Sequence, residues 1–394
     1  MGKWERVRLG DVAQINPPIE KKICSHDFVS IIPMDAISTD GKIVYTDQMP
    51  LQSVKNGLTA FQEKDILFAK ITPCMENGKC AIASGLVNNV GYGSTEFHVL
   101  RPASLVDTSW LFHLVHSPDF RRVAKQHMTG SAGQKRVPAA FLKNYQISLP
   151  PLPGQQKIAD ILDRASALIE KRKAQIDKLD LLVKARFVEM FGDPVTNTHG
   201  WARGTIRDIV TEVKYGTSKP ANAGGQYPYL RMNNITYDGQ LDTTDLKYIN
   251  VPDNEVEKCI VKKGDVLFNR TNSKELVGKT CVFNLPEPMI IAGYIIRVRL
   301  NNRAISEYLS AMLNSDYGKQ VLRAMCKSII GQANINAQEL QDIKMLIPPI
   351  DLQNRFAAFV ACVETQKERQ KKGLVLMELN YKALMQKCFE REML

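Results

Sequence analysis

The sequence predicts an α/β protein made of two similar mixed α/β domains, each followed by a long coiled-coil-like helix. Three observations carry that expectation. The first is an internal repeat. Trp4-Glu5-Arg6 returns as Trp201-Ala202-Arg203, Asp65-Ile66-Leu67-Phe68 as Asp265-Val266-Leu267-Phe268, and Gly78-Lys79 as Gly278-Lys279. Gly133-Gln134 then returns as Gly331-Gln332 and Pro150-Pro151 as Pro348-Pro349, the offset drifting between about 197 and 200 residues of a 394-residue chain. Solenoid and propeller units repeat every 20–50 residues or so, so each copy here is a domain plus its connector. The second observation is a heptad pattern after each diproline. The third is a series of short strands and helices with no βαβ alternation behind a glycine fingerprint, which argues against a doubly wound nucleotide fold.

Taken in order, residues 1–151 form the first domain. Asp65-Ile66-Leu67-Phe68-Ala69 and Phe97-His98-Val99-Leu100 are predicted strands, and the amphipathic stretch near Trp110–Val115 a short helix. Residues 152–192 form a central helix, read as starting near Gln155. Its apolar seam includes Leu162, Ile169, Ile176, Leu179 and Val183 in alternating steps of three and four, and it stops at Phe191-Gly192-Asp193-Pro194. A second stripe, Ile161, Leu168 and Leu182, lies one position beside the seam. It is either a surface for another protein or a wider core arc. Residues 193–349 repeat the domain, with a strand at Ile295–Arg299 and a helix over Ile305–Leu313. Residues 350–394 repeat the helix, its seam including Val360, Val363, Leu374 and Met377, with Gly373 costing about 1 kcal/mol relative to alanine. Because a globular domain separates the two helices, they are expected to pair antiparallel. Each would reach about 55 Å at about 1.5 Å per residue.

Composition is that of an ordinary globular protein, 44% hydrophobic and 24% charged, with net charge +11. Every segment is mildly basic, which suits a polyanionic partner contacted along the whole molecule and equally an ordinary basic cytosolic protein. No apolar run approaches the roughly 18 residues of a membrane span, and the start lacks a signal-peptide core, so a cytoplasmic protein is expected. The 8 cysteines form no Cys-x-x-Cys pair, which argues against a zinc module. Asn16-Pro17-Pro18-Ile19 lacks the aromatic residue with which adenine methyltransferases hold a flipped base and reads as a turn. Glu76-x-x-Lys79 is only a fragment of a nuclease site, no Gly-x-x-x-x-Gly-Lys-Ser/Thr loop occurs, and His113-x-x-His116 lacks further metal ligands. The chain reads as non-catalytic.

Two half-length domains, each followed by Pro-Pro and a heptad helix, with Phe191-Gly192-Asp193-Pro194 closing the first, resemble the specificity subunit of type I restriction-modification enzymes across essentially the whole chain. The resemblance implies two target recognition domains related by pseudo-twofold symmetry, each reading half of a split, asymmetric sequence in double-stranded DNA. It implies two adenine-N6 methyltransferase subunits docked on the chain and nuclease-translocase subunits beyond them. No cofactor is expected in this chain, since S-adenosylmethionine, ATP and Mg would belong to those partners. A helix pair of this length can hold two heads one duplex turn apart, about 34–36 Å. A freestanding DNA-binding regulator, with the helices used for dimerisation, is the rival reading. An enzyme in its own right is a third.

Comparing the copies sorts residues, because positions shared by both halves cannot distinguish two half-sites, whereas differing positions can. Lys70 and Arg270 correspond just past a strand and are assigned to phosphates, the alternative being solvated loop charges. Lys79 and Lys279 receive the same assignment. Gln134 and Gln332 also correspond. Glutamine pairs with adenine, yet its presence in both copies also fits loop fixing. Around these anchors the base-reading candidates are Thr72 against Asn272, Lys135 beside Arg136 against Asn334, and Asn269 and Lys274 in the second copy. Thr95-Glu96 and the Arg231-Met232-Asn233-Asn234 loop, with Arg231 and Asn233 as candidates, follow behind. Arg136 suits guanine, and Asn272 or Asn334 adenine, at about 1–3 kcal/mol of discrimination each.

Overall fold

The computed structural model describes residues 4–20, 23–131, 133–273, 276–326 and 333–389. The chain divides into two compact units, one of residues 1–173 with 372–394 and the other of 174–371, so each long helix contributes a segment to both.

In the first unit, strand Ile66–Ala69 lies between Phe97–Pro102 and Cys80–Ile82, with Ala13–Ile15 beyond Phe97–Pro102, all antiparallel. A second sheet runs Asp47–Pro50, Phe28–Ile32, Val90–Gly93, Thr59–Gln62, and only its middle pair is parallel. Successive strand side chains face opposite ways. Leu67, Ala81, Phe97 and Val99 therefore pack with Ile32 and Phe61 of the second sheet. Ile66, Phe68 and Leu100 face the other way, onto Trp110, Phe120, Ile158 and Leu162 of the helices. With both faces covered, the run Ile66-Leu67-Phe68-Ala69 is apolar at every position rather than at alternate ones.

The second unit has the same layout. Strands Val210–Tyr215, Ile295–Leu300, Val266–Asn269 and Thr280–Val282 form one sheet, and Lys247–Ile249, Tyr227–Leu230, Met289–Ile291 and Ile260–Val261 the other. Its cores divide the same way: Leu267, Cys281 and Ile295 pack with Ile291, and Val266, Phe268 and Ile296 with Tyr308, Leu309, Phe187 and Phe356. The expected helices are found at Thr108–His116 and Ser306–Asn314.

The central helix is Leu152–Phe191 and the C-terminal helix Ile350–Phe389, 40 residues each, hence about 60 Å long. The central helix begins three residues before Gln155, because Pro153 falls in the first turn, where its missing N–H has no partner to lose. It ends at Gly192, whose φ of 75° supplies the left-handed cap. Within the first unit, Ile158, Ala159 and Leu162 pack with Met385 and Cys388, and Lys173 pairs with Glu378 at 3.0 Å. Within the second, Val183, Phe187 and Met190 pack with Phe356 and Val360, and buried Lys367 pairs with Asp180. Early residues of one helix meet late residues of the other in both units, so the segments run antiparallel. Leu162, Ile169, Ile176 and Val363 are buried, and Leu179, Val183, Val360, Leu374 and Met377 half-buried. Leu168 and Leu182 are 56% and 46% exposed, and Ile161 is half-buried, which excludes the wider core arc for the two leucines.

Two glutamines unseen in the sequence pattern tie each helix start to its domain. Gln155 Nε2 donates to Pro150 O at 2.9 Å and Leu105 O at 3.1 Å, while its Oε1 accepts from Asp107 N at 2.8 Å. Gln353 repeats this with Pro348 O, Arg303 O and Ile305 N. Both are almost fully buried, so the amide replaces water for backbone groups that a turn leaves unpaired.

Candidate nucleic-acid interface

The strand holding Asp65 is set by a buried ion pair that repeats. Asp65 receives Arg101 Nε and Nη2, both at 2.8 Å, and Asp265 receives Arg299 Nε at 2.9 Å and Nη2 at 3.3 Å. Each aspartate also accepts a backbone N–H three residues earlier. This locks the strand direction, and what leaves its far end is the candidate interface. In the first unit Lys70 N donates to Glu96 O and Val137 N to Lys70 O, both at 2.9 Å, and Thr72 N donates to Lys135 O at 3.0 Å. The 70–74 loop thereby joins the 133–136 loop, far away in sequence. In the second unit Arg270 N donates to Tyr294 O, Ile335 N to Arg270 O, and Thr271–Asn272 pairs with Ala333–Asn334.

The structure thus brings Lys70, Thr72, Gln134, Lys135 and Arg136 together in one unit, and Arg270, Asn272 and Asn334 together in the other. Gln134, Lys135 and Asn334 are exposed. Lys70 is half-exposed beside a cleft of about 230 Å³ that also touches Asn16, Thr59 and Phe97. Arg270 lies 4.8 Å from the ring of Tyr215, a cation–π contact that fixes the guanidinium plane. Arg136 is gripped by Glu96, with Nε to Oε2 at 2.9 Å and Nη2 to Oε1 at 2.7 Å, while Nη1 reaches Gln134 O at 3.2 Å. That pairing holds the Glu96 carboxyl below the usual range. The repeat puts exposed Tyr294 in the place of Glu96. Tyr294 carries no signal of its own in the sequence; alignment of the copies through the Lys70 and Arg270 backbone bonds is what finds it.

Several expected contacts are corrected. Lys79 and Lys279, assigned to phosphates, instead donate Nζ at 2.8 Å to Met34 O and Met232 O. Lys279 is buried, and desolvation lowers its pKa. Asn269 is fully buried, its Oδ1 accepting from Thr271 N at 3.3 Å, so it shapes the loop rather than facing a base. The Thr72 hydroxyl is likewise taken up, donating to Gly133 O and accepting from Lys135 N, each at 3.2 Å. Arg231 is away from this loop pair, its Nη2 on Asp245 at 2.8 Å. Asn233 is exposed in the same turn. Lys274 and Gln332 lie outside the described residues.

Asn16 occupies the expected turn, with φ 56° and its Oδ1 accepting from Val99 N at 3.0 Å. Its side chain also meets His98, whose Nε2 donates to Val137 O at 2.8 Å and whose pKa burial depresses. His113 pairs with Asp163 at 2.7 Å and His116 stacks on Phe112, so the pair serves packing. Among the described residues no three His, Cys, Asp or Glu side chains gather as a metal site, and no helix is long and apolar enough to cross a membrane.

A family model described as the type I restriction modification DNA specificity domain matches residues 1–179 and again 199–374. The chain belongs to that family. It is similar to the specificity subunit of the type I restriction enzyme EcoAI of Escherichia coli, 42% identical over 175 residues that cover 44% of this chain and 29% of that subunit. It is also similar to the EcoKI specificity subunit of E. coli strain K12, 24% identical over 88% of this chain and 83% of that one. The chain therefore matches less than a third of the EcoAI subunit's length. A solved structure described as showing complex assembly and conformational transition of the type I R-M system aligns with TM-score 0.63 at 22% identity. That alignment covers 99% of this chain and 98% of the other. The S subunit of M. genitalium aligns with TM-score 0.54 at 14% identity over 98% and 96%. These two likenesses show the fold. Nothing in the comparisons favours a freestanding regulator.

Proposed function

We propose that this chain is the non-catalytic DNA-recognition subunit of a type I restriction-modification complex. Residues 1–151 and 193–349 act as target recognition domains, each reading half of a bipartite, asymmetric duplex sequence, and residues 152–192 and 350–394 act as spacer helices. One observation carries the reading: two loop pairs share a backbone frame and a cation, Lys70 or Arg270, while their exposed neighbours differ. A shared cation suits phosphate, which is the same everywhere, and differing neighbours suit base edges, which are not. The exposed Leu168 and Leu182 supply surface on which two adenine-N6 methyltransferase subunits dock, and nuclease-translocase subunits join through them. S-adenosylmethionine, ATP and Mg enter with those partners, and the complex works in the cytoplasm, where its DNA is.

The test is co-expression with methyltransferase subunits followed by mapping of methylated adenines. The expected result is a two-part motif with a fixed gap, in which replacing 193–349 by the equivalent domain of a relative changes one part only. Methylation without a bipartite motif, or a change in both parts, would refute it.

A further inference from the structure

We propose that Tyr215 is a positioning residue that holds Arg270 ready for one phosphate of the half-site met by the second unit, a device the first unit lacks. The inference rests on the assignment of Arg270 to phosphate under the function proposed above. Tyr215 ends the strand Val210–Tyr215, and its ring lies 4.8 Å from the Arg270 guanidinium. Its hydroxyl accepts from Ala337 N at 2.7 Å, where the short helix Ala337–Gln341 begins. That start is itself fixed, since Asn336 Oδ1 accepts from Gln338 N and Glu339 N, both at 2.9 Å, and Ile335 N donates to Arg270 O. The ring is therefore held by its strand at one end and by the loop facing Arg270 at the other.

An arginine that only stiffened the loop would close on an oxygen. Arg101, Arg136, Arg231 and Arg299 each close on a carboxylate. Among the described residues the Arg270 guanidinium meets the ring instead, and its Nε is buried without an acceptor. A guanidinium laid on an aromatic face keeps its charge and leaves its outer edge open. That edge carries parallel N–H groups in the geometry that phosphate takes up, with few rotamers left to lose on contact. The first unit differs at the same place. Ile15 pairs with Leu100 and Val213 with Val298, and Leu100 and Val298 each lie four residues after the matched Glu96 and Tyr294, so the register sets Pro17 where Tyr215 stands. There Lys70 borders a cleft of about 230 Å³ walled by Pro17, Thr59 and Phe97, and makes no cation–π contact among the described residues. An ammonium on a flexible stem acts as a point charge. The two units thus grip the duplex backbone by different means, one by an oriented fork and the other by an unoriented charge.

The complex assembled with methyltransferase subunits is titrated with duplexes in which a single linkage, walked along both half-sites, is a neutral methylphosphonate. One linkage in the second unit's half-site should cost the native chain about tenfold in affinity, as for one charge-assisted contact. Tyr215→Leu and Arg270→Lys should each reduce that loss to about twofold, while the salt slope, which counts neutralised phosphates, stays. Tyr215→Phe keeps the ring and should keep the full loss. In an Arg270→Ala background Tyr215→Leu should add less than about twofold, because its effect passes through the arginine. Additive losses, or Tyr215→Phe as damaging as Tyr215→Leu, would make Tyr215 a brace of the 333–337 loop and overturn this inference alone. Should Tyr215→Leu not fold, the full loss persisting in Arg270→Lys overturns it as well. No sensitive linkage in the native complex, or an unchanged affinity in Arg270→Ala, overturns the phosphate assignment and the inference with it.

Discussion

Arg136→Ala tests the reading of the candidate interface most directly. The guanidinium is held by both carboxylate oxygens of Glu96 and by the Gln134 carbonyl, and its side chain is 42% exposed. It is thus presented at the loop edge with its orientation already fixed, and little rotamer entropy remains to be lost on meeting a base. A bidentate arginine–guanine contact discriminates by about 1–3 kcal/mol, so removal should flatten one position of one half-site by roughly 5- to 150-fold. The other half-site should keep its preference unchanged. Selection from a randomised duplex pool by the assembled complex, read by sequencing, reports both halves in one experiment. Equal weakening at every sequence, with the salt slope reduced by about one, would show a phosphate contact instead. No change in either would show that Arg136 only braces Glu96.

Glu96→Gln should blur the same position less severely, because the arginine stays but loses its clamp; the same selection measures it. Gln155→Ala or Gln353→Ala strips three backbone groups of their partner, at about 1–3 kcal/mol for each group left buried. Only the bonds to Pro150 O and Pro348 O are fully buried and the other groups regain water in part, so of the roughly 3–9 kcal/mol that three groups sum to, chemical unfolding should show the lower end in the unit concerned. Asp180→Ala should destabilise more than Lys367→Met, since the first strands a buried ammonium and the second leaves a carboxylate nearer to water; paired melting curves decide. Burial, helped by Arg121, pushes His116 from 6.5 down to about 4. Its contribution is intact above pH 6.5 and is lost as pH falls toward 4, because the unfolded chain takes up the proton first. Unfolding at stepped pH should show that slope in the native chain and a shallower one in His116→Gln.

The sequence made the framework legible wherever a periodicity or a duplication existed. The strand patterns at Asp65–Ala69 and Ile295–Arg299, the seam through Leu162, Ile169 and Ile176, and the Gly192 stop all carry local signals strong enough to read. The joining of the 70–74 and 133–136 loops carries no such signal, because hydrogen bonds between backbone groups far apart in the chain leave no mark on composition. Gln155 and Gln353 look like ordinary polar residues at a helix start, and only their burial shows them to be anchors. Lys79 and Lys279 read as surface cations for a related reason. A lysine is rarely buried, so a surface role is the natural reading until a carbonyl is found at 2.8 Å from each Nζ.

Under the proposed function, positions alike in both halves would divide into scaffold and phosphate contacts; Lys79 and Lys279 donate to backbone carbonyls and belong to the scaffold, leaving Lys70 and Arg270 as the shared cations of the loop edge. Positions that differ stand on a conserved backbone frame. Lys70 N and Arg270 N each donate at 2.9 Å to the carbonyl of the residue that has changed, Glu96 in one unit and Tyr294 in the other. A side chain replaced while its own backbone bond is kept has changed without moving the chain. The residue across the loop changes as well, from Arg136 on Glu96 to Asn334, whose Oδ1 accepts from the Thr271 hydroxyl at 3.3 Å, so the charged fork of one unit gives way to an aromatic ring and an amide in the other. Under the proposed function, paired replacement on a fixed frame would give one fold two recognition chemistries without a second architecture, and these four side chains are where the difference between half-sites is expected first.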